Sequence, residues 1–585
     1  MMGRFNLLDE PWISVLDGKT GEKRDVSLLE FFQNGGKYQT LAGDTETQNF
    51  AVMRFLLSII QTVFSRFDFE GAVLPGVELD ERWVQTESVD EDDLDEYCDA
   101  VSECWDRLYL NGSFPDVVSQ YLEKWRDRFF LFDEVHPFYQ VNQQEMNDIM
   151  ELIPQKSQPT TIYGKNLNRT ISESENKIAL FSPIVQTGSG KRSKKDIMTS
   201  AQLVRWLITF QGYSGLADKV SLVNTVEKQR PSKGWLFDLG GVFLQGSNVF
   251  ETLVMNYIPE FPANRKQLCG RIQNPCWEAD GSLVVKRIYS GKQIDNLAEL
   301  YTNWSRSIYI DPMMDMADPV EINIVKLPEI EHTENSIEPM TLWRWNENGP
   351  NKNHFTPKKH NAEQALWRSF GIIAMNPSSG ESSRQFRPGI YGQYRRLAKV
   401  AGSRWTNLTG VSMADDGNAT SWLPVDEISD SFMINDLVIA DEEPDGWIVR
   451  INDVVETTKE VVSTIFKSYL RGICEIRDLK VTSPMDPNAA GFIEREIAEM
   501  YALIDSSFKE WICSIEPGDS KEEKIKSWNT QLRRQVLNRG EELYESSMMR
   551  DLTGIEKDNK IVNIATKYWQ FVYRVNNKLG KGGAA

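Results

Sequence analysis

A chain of 585 residues with 41% hydrophobic content can bury more than one core, and its 17 Trp exclude a globally disordered protein. The net charge of −20 runs against wrapping nucleic acid over the whole surface, although local patches rather than the sum decide a contact. No apolar run of about 18 residues occurs and the N-terminus has no basic-then-apolar pattern, so a cytoplasmic protein with no membrane partner is expected.

In chain order, Thr45-Glu46-Thr47-Gln48 has capping-box spacing, and Phe50, Met53, Leu57 and Ile60 follow at helical intervals, which predicts a core helix. Acidic residues gather at Asp90–Glu96. Bases gather at Lys191-Arg192-Ser193-Lys194-Lys195 and across Arg384, Arg387, Arg395, Arg396, Lys399 and Arg404. Each run reads most plainly as a solvated face, yet two basic clusters on an acidic chain leave room for a localised groove.

Up to residue 445 strand-like runs mix with helices and many Gly, Pro and Asn turns, which predicts one large α+β body. After the turn Asp441-Glu442-Glu443-Pro444-Asp445-Gly446 the periodicity becomes helical. Val454, Val455, Thr458, Val461, Val462, Ile465 and Tyr469 form one stripe; Ile493, Ile497, Met500, Tyr501, Ile504, Phe508 and Trp511 form another. Ile525, Trp528, Leu532 and Val536, then Ile564, Tyr568, Phe571 and Val575, suggest two more helices. A C-terminal four-helix bundle over 446–585 is the expectation.

Catalytic chemistry is hard to find. The six Cys contain no C-x-x-C pair, and Cys269 with Cys276 lacks further ligands, so buried reduced thiols and no metal are expected. The four His make no H-E-x-x-H or HD pair; there is no phosphate-cradling G-x-x-x-x-G-K-[ST] and no G-x-S-x-G elbow. A protein without catalytic residues or cofactors follows.

Other segments carry a resemblance. Phe5-Asn6-Leu7-Leu8-Asp9-Glu10-Pro11-Trp12-Ile13, then Val26-Ser27-Leu28 and Leu41-Ala42-Gly43-Asp44, resemble the N-terminus of the CasA family, large subunits of the type I-E CRISPR Cascade surveillance complex. His136–Gln140, Gly240–Gly246 with Glu251-Thr252-Leu253, Glu338–Arg344 and Ala365–Arg368 look like further signatures of that family. The resemblance implies a DNA-binding and RNA-binding subunit in antiviral defence. Its partners would be guide RNA, target double-stranded DNA, the other Cascade subunits and a helicase-nuclease recruited after target binding. Guide pairing reads the sequence, and the protein reads a short adjacent motif.

The family reads that motif from the minor groove with a small-residue loop, a lysine finger and a hairpin wedge. Carried over, the loop is Ser214-Gly215-Leu216-Ala217, the finger is Lys326, and the wedge is Gly417-Asn418-Ala419, with Asn418 where the family commonly has Gln. A tight turn at Asp416-Gly417 or Gly417-Asn418 is expected between strand-like runs. The loop around Gly188-Ser189-Gly190 would grip the guide, with Phe181 for stacking and Lys191, Arg192, Lys194 and Lys195 for phosphates. The plainer readings of these segments are a helix C-cap at Gly212 or Gly215, a solvated edge lysine and an ordinary surface hairpin. Two other functions compete: a metal-dependent nuclease of a related defence system, and an acidic scaffold without DNA contact.

Replacing Lys191, Arg192, Lys194 and Lys195 with Ala is expected to weaken target binding and flatten its salt dependence, because each phosphate contact releases about one counterion. A titration of affinity against salt checks this; an unchanged slope would mark the cluster as a solvated face.

Overall fold

The structure, a computed structural model, describes residues 3–153, 157–167, 184–187, 190–193, 196–216, 218–224, 226–259, 269–335, 337–375, 386–418, 422–557 and 560–580. Mixed helix and sheet make up the N-terminal body and helices dominate the C-terminal region, the α+β class expected.

Strands β1 (Ile13–Asp17), β2 (Lys23–Val26) and β3 (Tyr38–Leu41) form an antiparallel sheet in the order β2-β1-β3. Helix α1 (Glu46–Val63) begins where Thr45 accepts from the Gln48 N–H at 3.1 Å, while the Gln48 side chain caps the Asp44 N–H at 2.9 Å. The helix is buried on nearly every side, so it is a central core helix rather than an amphipathic surface one. Its one cation, Arg54, is matched by Glu338 in a bidentate pair at 2.8 and 2.7 Å. Burial alone would lift the Glu338 carboxyl; Arg54, with donation from Trp235 and the Met340 N–H, holds it below its usual range.

Next come β4 (Thr160–Tyr163), β5 (Ile184–Thr187), β6 (Gly190–Ser193) and helix α2 (Ser200–Tyr213), whose start is a capping box between Thr199 and Gln202. The basic loop expected around 188–190 is instead flanked by strands: β5 and β6 pair in register, Gln186 opposite Lys191 and Val185 opposite Arg192. The rest of the body adds β7 (Gly241–Gln245), β8 (Arg306–Tyr309) and β9 (Glu321–Lys326), followed by the long strands β10 (Trp405–Asp415) and β11 (Pro424–Asn435). Strand orders are β8-β9-β4 and β11-β10-β7.

The C-terminal helices are α3 (Trp447–Glu460), continued through a π-helical turn (Val461–Phe466) into α4 (Lys467–Ile476), then α5 (Pro487–Cys513), α6 (Lys521–Glu545) and α7 (Ile564–Leu579). All seven members of the first predicted stripe are buried. In the others Ile497, Ile525 and Tyr568 are only half-buried. A short helix (Met549–Thr553) and a hairpin (Ile555–Lys557 with Lys560–Val562) lie between α6 and α7, and no periodicity in the sequence announces them.

Two compact units emerge, and neither is contiguous: one is Met1–His360, Pro388–Gln393 and Thr409–Ser429, the other Asn361–Arg387, Tyr394–Leu408 and Asp430–Ala585. These bounds differ from the expected 1–445 and 446–585, because side chains well before Trp447 pack on the helices. Trp367 stacks on Phe508 at 4.0 Å and donates to Asp505, Asp430 takes Lys509 at 2.5 Å, and Trp405 donates to the Cys513 carbonyl. Periodicity marks where helices begin, not what else packs on them.

In the second unit Asp436 has no exposed surface, and burial pushes its carboxyl up to about 7 although the Arg404 Nε lies 3.6 Å away. The folded pKa exceeds the unfolded one, so the folded state holds the extra proton between about pH 4 and pH 7 and loses that advantage as pH rises through the window. Asp436→Asn is therefore expected to stabilise the protein by roughly 2–4 kcal/mol at about pH 8 and by less at about pH 5. Thermal melts at the two pH values check this; an equal effect at both would show that the carboxyl titrates normally.

Candidate nucleic-acid interface

Helix α2 stops where Ser214 turns extended (φ −66°, ψ 141°), not at a left-handed glycine, so the C-cap expected at Gly212 or Gly215 is not the device that ends it. The Ser214 hydroxyl shares a buried 2.8 Å hydrogen bond with Ser305, and its carbonyl accepts from the Gly234 N–H at 2.9 Å. Ser214 is thus an anchor beneath the loop. Gly215 and Leu216 are half-buried, and Ala217 lies outside the described residues.

What holds these two in place is Arg306, the first residue of β8, whose side chain has no exposed surface. Its Nε meets the Asp218 carboxylate at 2.7 Å, one terminal nitrogen donates to the Ser232 carbonyl at 2.9 Å, and the other donates to the Gly215 carbonyl. Lys326 stands opposite Arg306 in the β8–β9 ladder. The lysine ends its strand as the sequence suggested, but only 7% of it is exposed, and its ammonium donates to the Leu216 carbonyl at 3.2 Å. It is turned inward rather than projecting as a finger. Burial and then the nearby Arg306 cation lower its pKa, an effect that Asp218 partly offsets.

The second component is the β10–β11 connection. In place of the two-residue turn expected at Asp416-Gly417 or Gly417-Asn418, β10 ends at Asp415 and β11 begins at Pro424, and the Asp416 carboxylate accepts from both the Asn418 and Leu423 N–H groups at 3.1 Å. Gly417 takes φ +68°, where a side chain would be strained. Ala419 lies outside the described residues. Further down, Glu427 accepts from the N–H groups of Glu46 and Thr47 at 3.2 and 3.0 Å, a carboxylate seated on the N-terminus of α1.

Loop and hairpin meet. A pocket of about 570 Å³ is lined by Ser214, Gly215 and Asp218 on one side and by Met413, Leu423 and Pro424 of the hairpin on another, with Trp206, Phe210 and Tyr213 of α2 between. Residues far apart in sequence thus share one surface. Phe181, Lys194 and Lys195 lie outside the described residues, whereas Lys191 and Arg192 belong to β6. In the other basic cluster Arg384 lies outside the described residues, Arg387 and Arg395 meet Glu442 at 3.2 and 2.6 Å, and Arg404 faces Asp436. The sequence reading missed Asp218, Ser232, Gly234 and Arg306, and the one available signal was an arginine opening an otherwise apolar strand.

A mixed body followed by C-terminal helices is an architecture shared with known proteins. The sequence model described as CRISPR-associated protein Cse1 matches residues 6–538, and the chain belongs to that family. A curated relative, CRISPR-associated protein CasA/Cse1 of Thermus thermophilus, is 26% identical over 281 residues. That match spans 47% of this chain and 42% of the relative. The crystal structure of Thermobifida fusca Cse1 is similar at TM-score 0.72 and 20% identity, covering 99% of this chain and 98% of that one. Cse1 of Acidimicrobium ferrooxidans follows at 0.71 and 18%, covering 99% of both chains. A chain of a structure described as a CRISPR RNA-guided surveillance complex gives 0.63 and 14%, again with 99% of both covered. At these identities the structures speak for the fold.

Arg306→Ala is expected to cost about 3–5 kcal/mol, because it leaves the Asp218 carboxylate and the carbonyls of Gly215, Ser232 and Ser305 without their cation. Leu216→Ser, on the half-buried loop, should cost under about 1 kcal/mol. Chemical denaturation of both variants checks this, and a small loss for Arg306→Ala would contradict the anchoring role.

Proposed function

We propose that this protein is a non-enzymatic large subunit of a guide-RNA-directed surveillance complex. In this reading it recognises a short motif in double-stranded DNA beside the target, starts opening of the duplex and recruits a helicase-nuclease. Family membership supports the assignment to such a complex. The observation that carries the motif-reading role is the set of the loop: the carbonyls of Gly215 and Leu216 both accept from buried cations, beside a hairpin that shares their pocket.

A loop whose carbonyls are engaged offers its amide N–H groups and little side-chain bulk to whatever approaches. The minor groove presents mainly acceptors, adenine N3 and thymine O2, so donors on a slim loop suit it. Such reading is degenerate, and a relaxed motif preference follows. The hairpin then acts as the wedge: separating a base step costs a few kcal/mol, so the inserted element must be rigid. Asn418, tied through its N–H to Asp416, supplies a short amide at the tip. Phe181, Lys191, Arg192, Lys194 and Lys195 are assigned to guide RNA or phosphate contact, and Lys326 to fixing the loop.

Gly215→Leu should block close approach and erase discrimination between motif-bearing and motif-free duplex. Replacing Gly417, Asn418 and Ala419 should leave discrimination intact and slow opening. Targets already mismatched beside the motif should rescue the hairpin variant and not Gly215→Leu; equal rescue of both would refute these assignments.

A further inference from the structure

Segment Ser232–Asp238 touches both halves of the candidate interface. On the loop side, Ser232 accepts from Arg306, and Gly234 donates to the Ser214 carbonyl. The approach there is close: a Cβ on Gly234 would fall 2.2 Å from the Gly212 carbonyl oxygen, so no other residue fits.

On the hairpin side the same segment builds a chain of alternating charge. The Lys233 ammonium lies 2.5 Å from Asp238; Asp238 lies 3.8 Å from Lys359; Lys359 donates to Asp415 at 2.7 Å. Asp415 is the last residue of β10, before the tip. Trp422, after the tip, receives Lys233 over its ring at 4.9 Å. The Phe237 ring lies beneath both ammonium groups, 5.5 Å from Lys233 and 4.1 Å from Lys359. Both stems are therefore linked to this segment and its short 3-10 helix (Trp235–Asp238), Trp422 through Lys233 and Asp415 through Lys359, which sits against Asp238 and Phe237. Burial alone would raise the Asp415 carboxyl, but the Lys359 ammonium and the Gly417 N–H hold it below its ordinary value, so the contact is made by an ionised group.

From this geometry we infer that Lys233 and Lys359 are positioning residues that hold the wedge hairpin rigid, and that Ser232–Asp238 couples motif reading at the loop to duplex opening at the hairpin. The inference rests on the function proposed above. Neither lysine needs to touch DNA: each fixes a stem, and the segment transmits any displacement of Ser214 to the stems through covalent chain and a few short contacts.

The test uses the assembled complex with its guide RNA and two targets, a fully paired motif-bearing duplex and the same duplex mismatched beside the motif. Opening is followed by fluorescence of 2-aminopurine placed next to the motif. Lys359→Gln and Lys233→Gln should each keep motif discrimination and slow opening of the paired duplex about tenfold, with no change on the mismatched one. Lys359→Arg, which keeps a cation beside both Asp415 and Asp238, should recover most of the lost rate if the variants melt as the wild type does, which separates a clasp from a folding defect. Equal slowing on both targets, no slowing, or no recovery in Lys359→Arg would overturn the inference. A wild-type complex that fails to discriminate motif-bearing duplex would instead overturn the function on which it rests.

Discussion

A guanidinium without exposed surface must find every partner inside the protein, and Arg306 finds them at Gly215 and Asp218 after α2, at Ser232, and at the neighbouring Ser305 carbonyl. Removing a charge from water is expensive, and only a full set of hydrogen bonds offsets it. The loop after α2 therefore has little freedom over where its backbone goes, since a displaced Gly215 carbonyl leaves a buried cation short of an acceptor. Lys326 repeats the logic one strand away, at the Leu216 carbonyl. Lys326, which the family resemblance suggested as a DNA-reading finger, is thus used with Arg306 to aim a backbone.

That use changes how the charge of the chain reads. A net charge of −20 argues against nucleic acid only if phosphate contact is the main work of the protein, and in the function proposed above the loop would contribute hydrogen-bond donors on neutral backbone. Many bases of the body and the bundle are committed internally, Arg54 to Glu338, Arg66 to Glu278, Arg387 and Arg395 to Glu442. Basic residues in the sequence therefore need not mark a phosphate-binding face, since these are paired with carboxylates of the same chain.

Much of the fold was legible. The four C-terminal helices appeared as stripes because each buries one face, and Val454 to Tyr469 is unbroken even through a π-helical turn. The cap of α1 was visible at Thr45. What local pattern could not show was which distant residues complete a site. Nothing near Arg306 in sequence announces Asp218 or Gly215, and nothing near Trp367 announces Phe508. The spacing between Asp415 and Pro424 was also hidden, because it goes with one carboxylate, Asp416, that accepts from both Asn418 and Leu423. Family resemblance singled out the segments at 214–217 and 326; physical contacts explain why Ser214 and Lys326 serve as supports while Gly215 and Leu216 are half-buried.

The central claim is that the loop at 214–217 reads a duplex and the hairpin tip at 417–419 separates its strands. Cryo-electron microscopy of the assembled complex on a motif-bearing duplex tests it most directly. The account predicts the amides of Gly215 and Leu216 in the minor groove at the motif, with Lys326 still bonded to the Leu216 carbonyl and Asn418 at the junction where the strands separate. A duplex that docks elsewhere on the body, with either loop facing solvent, would contradict it.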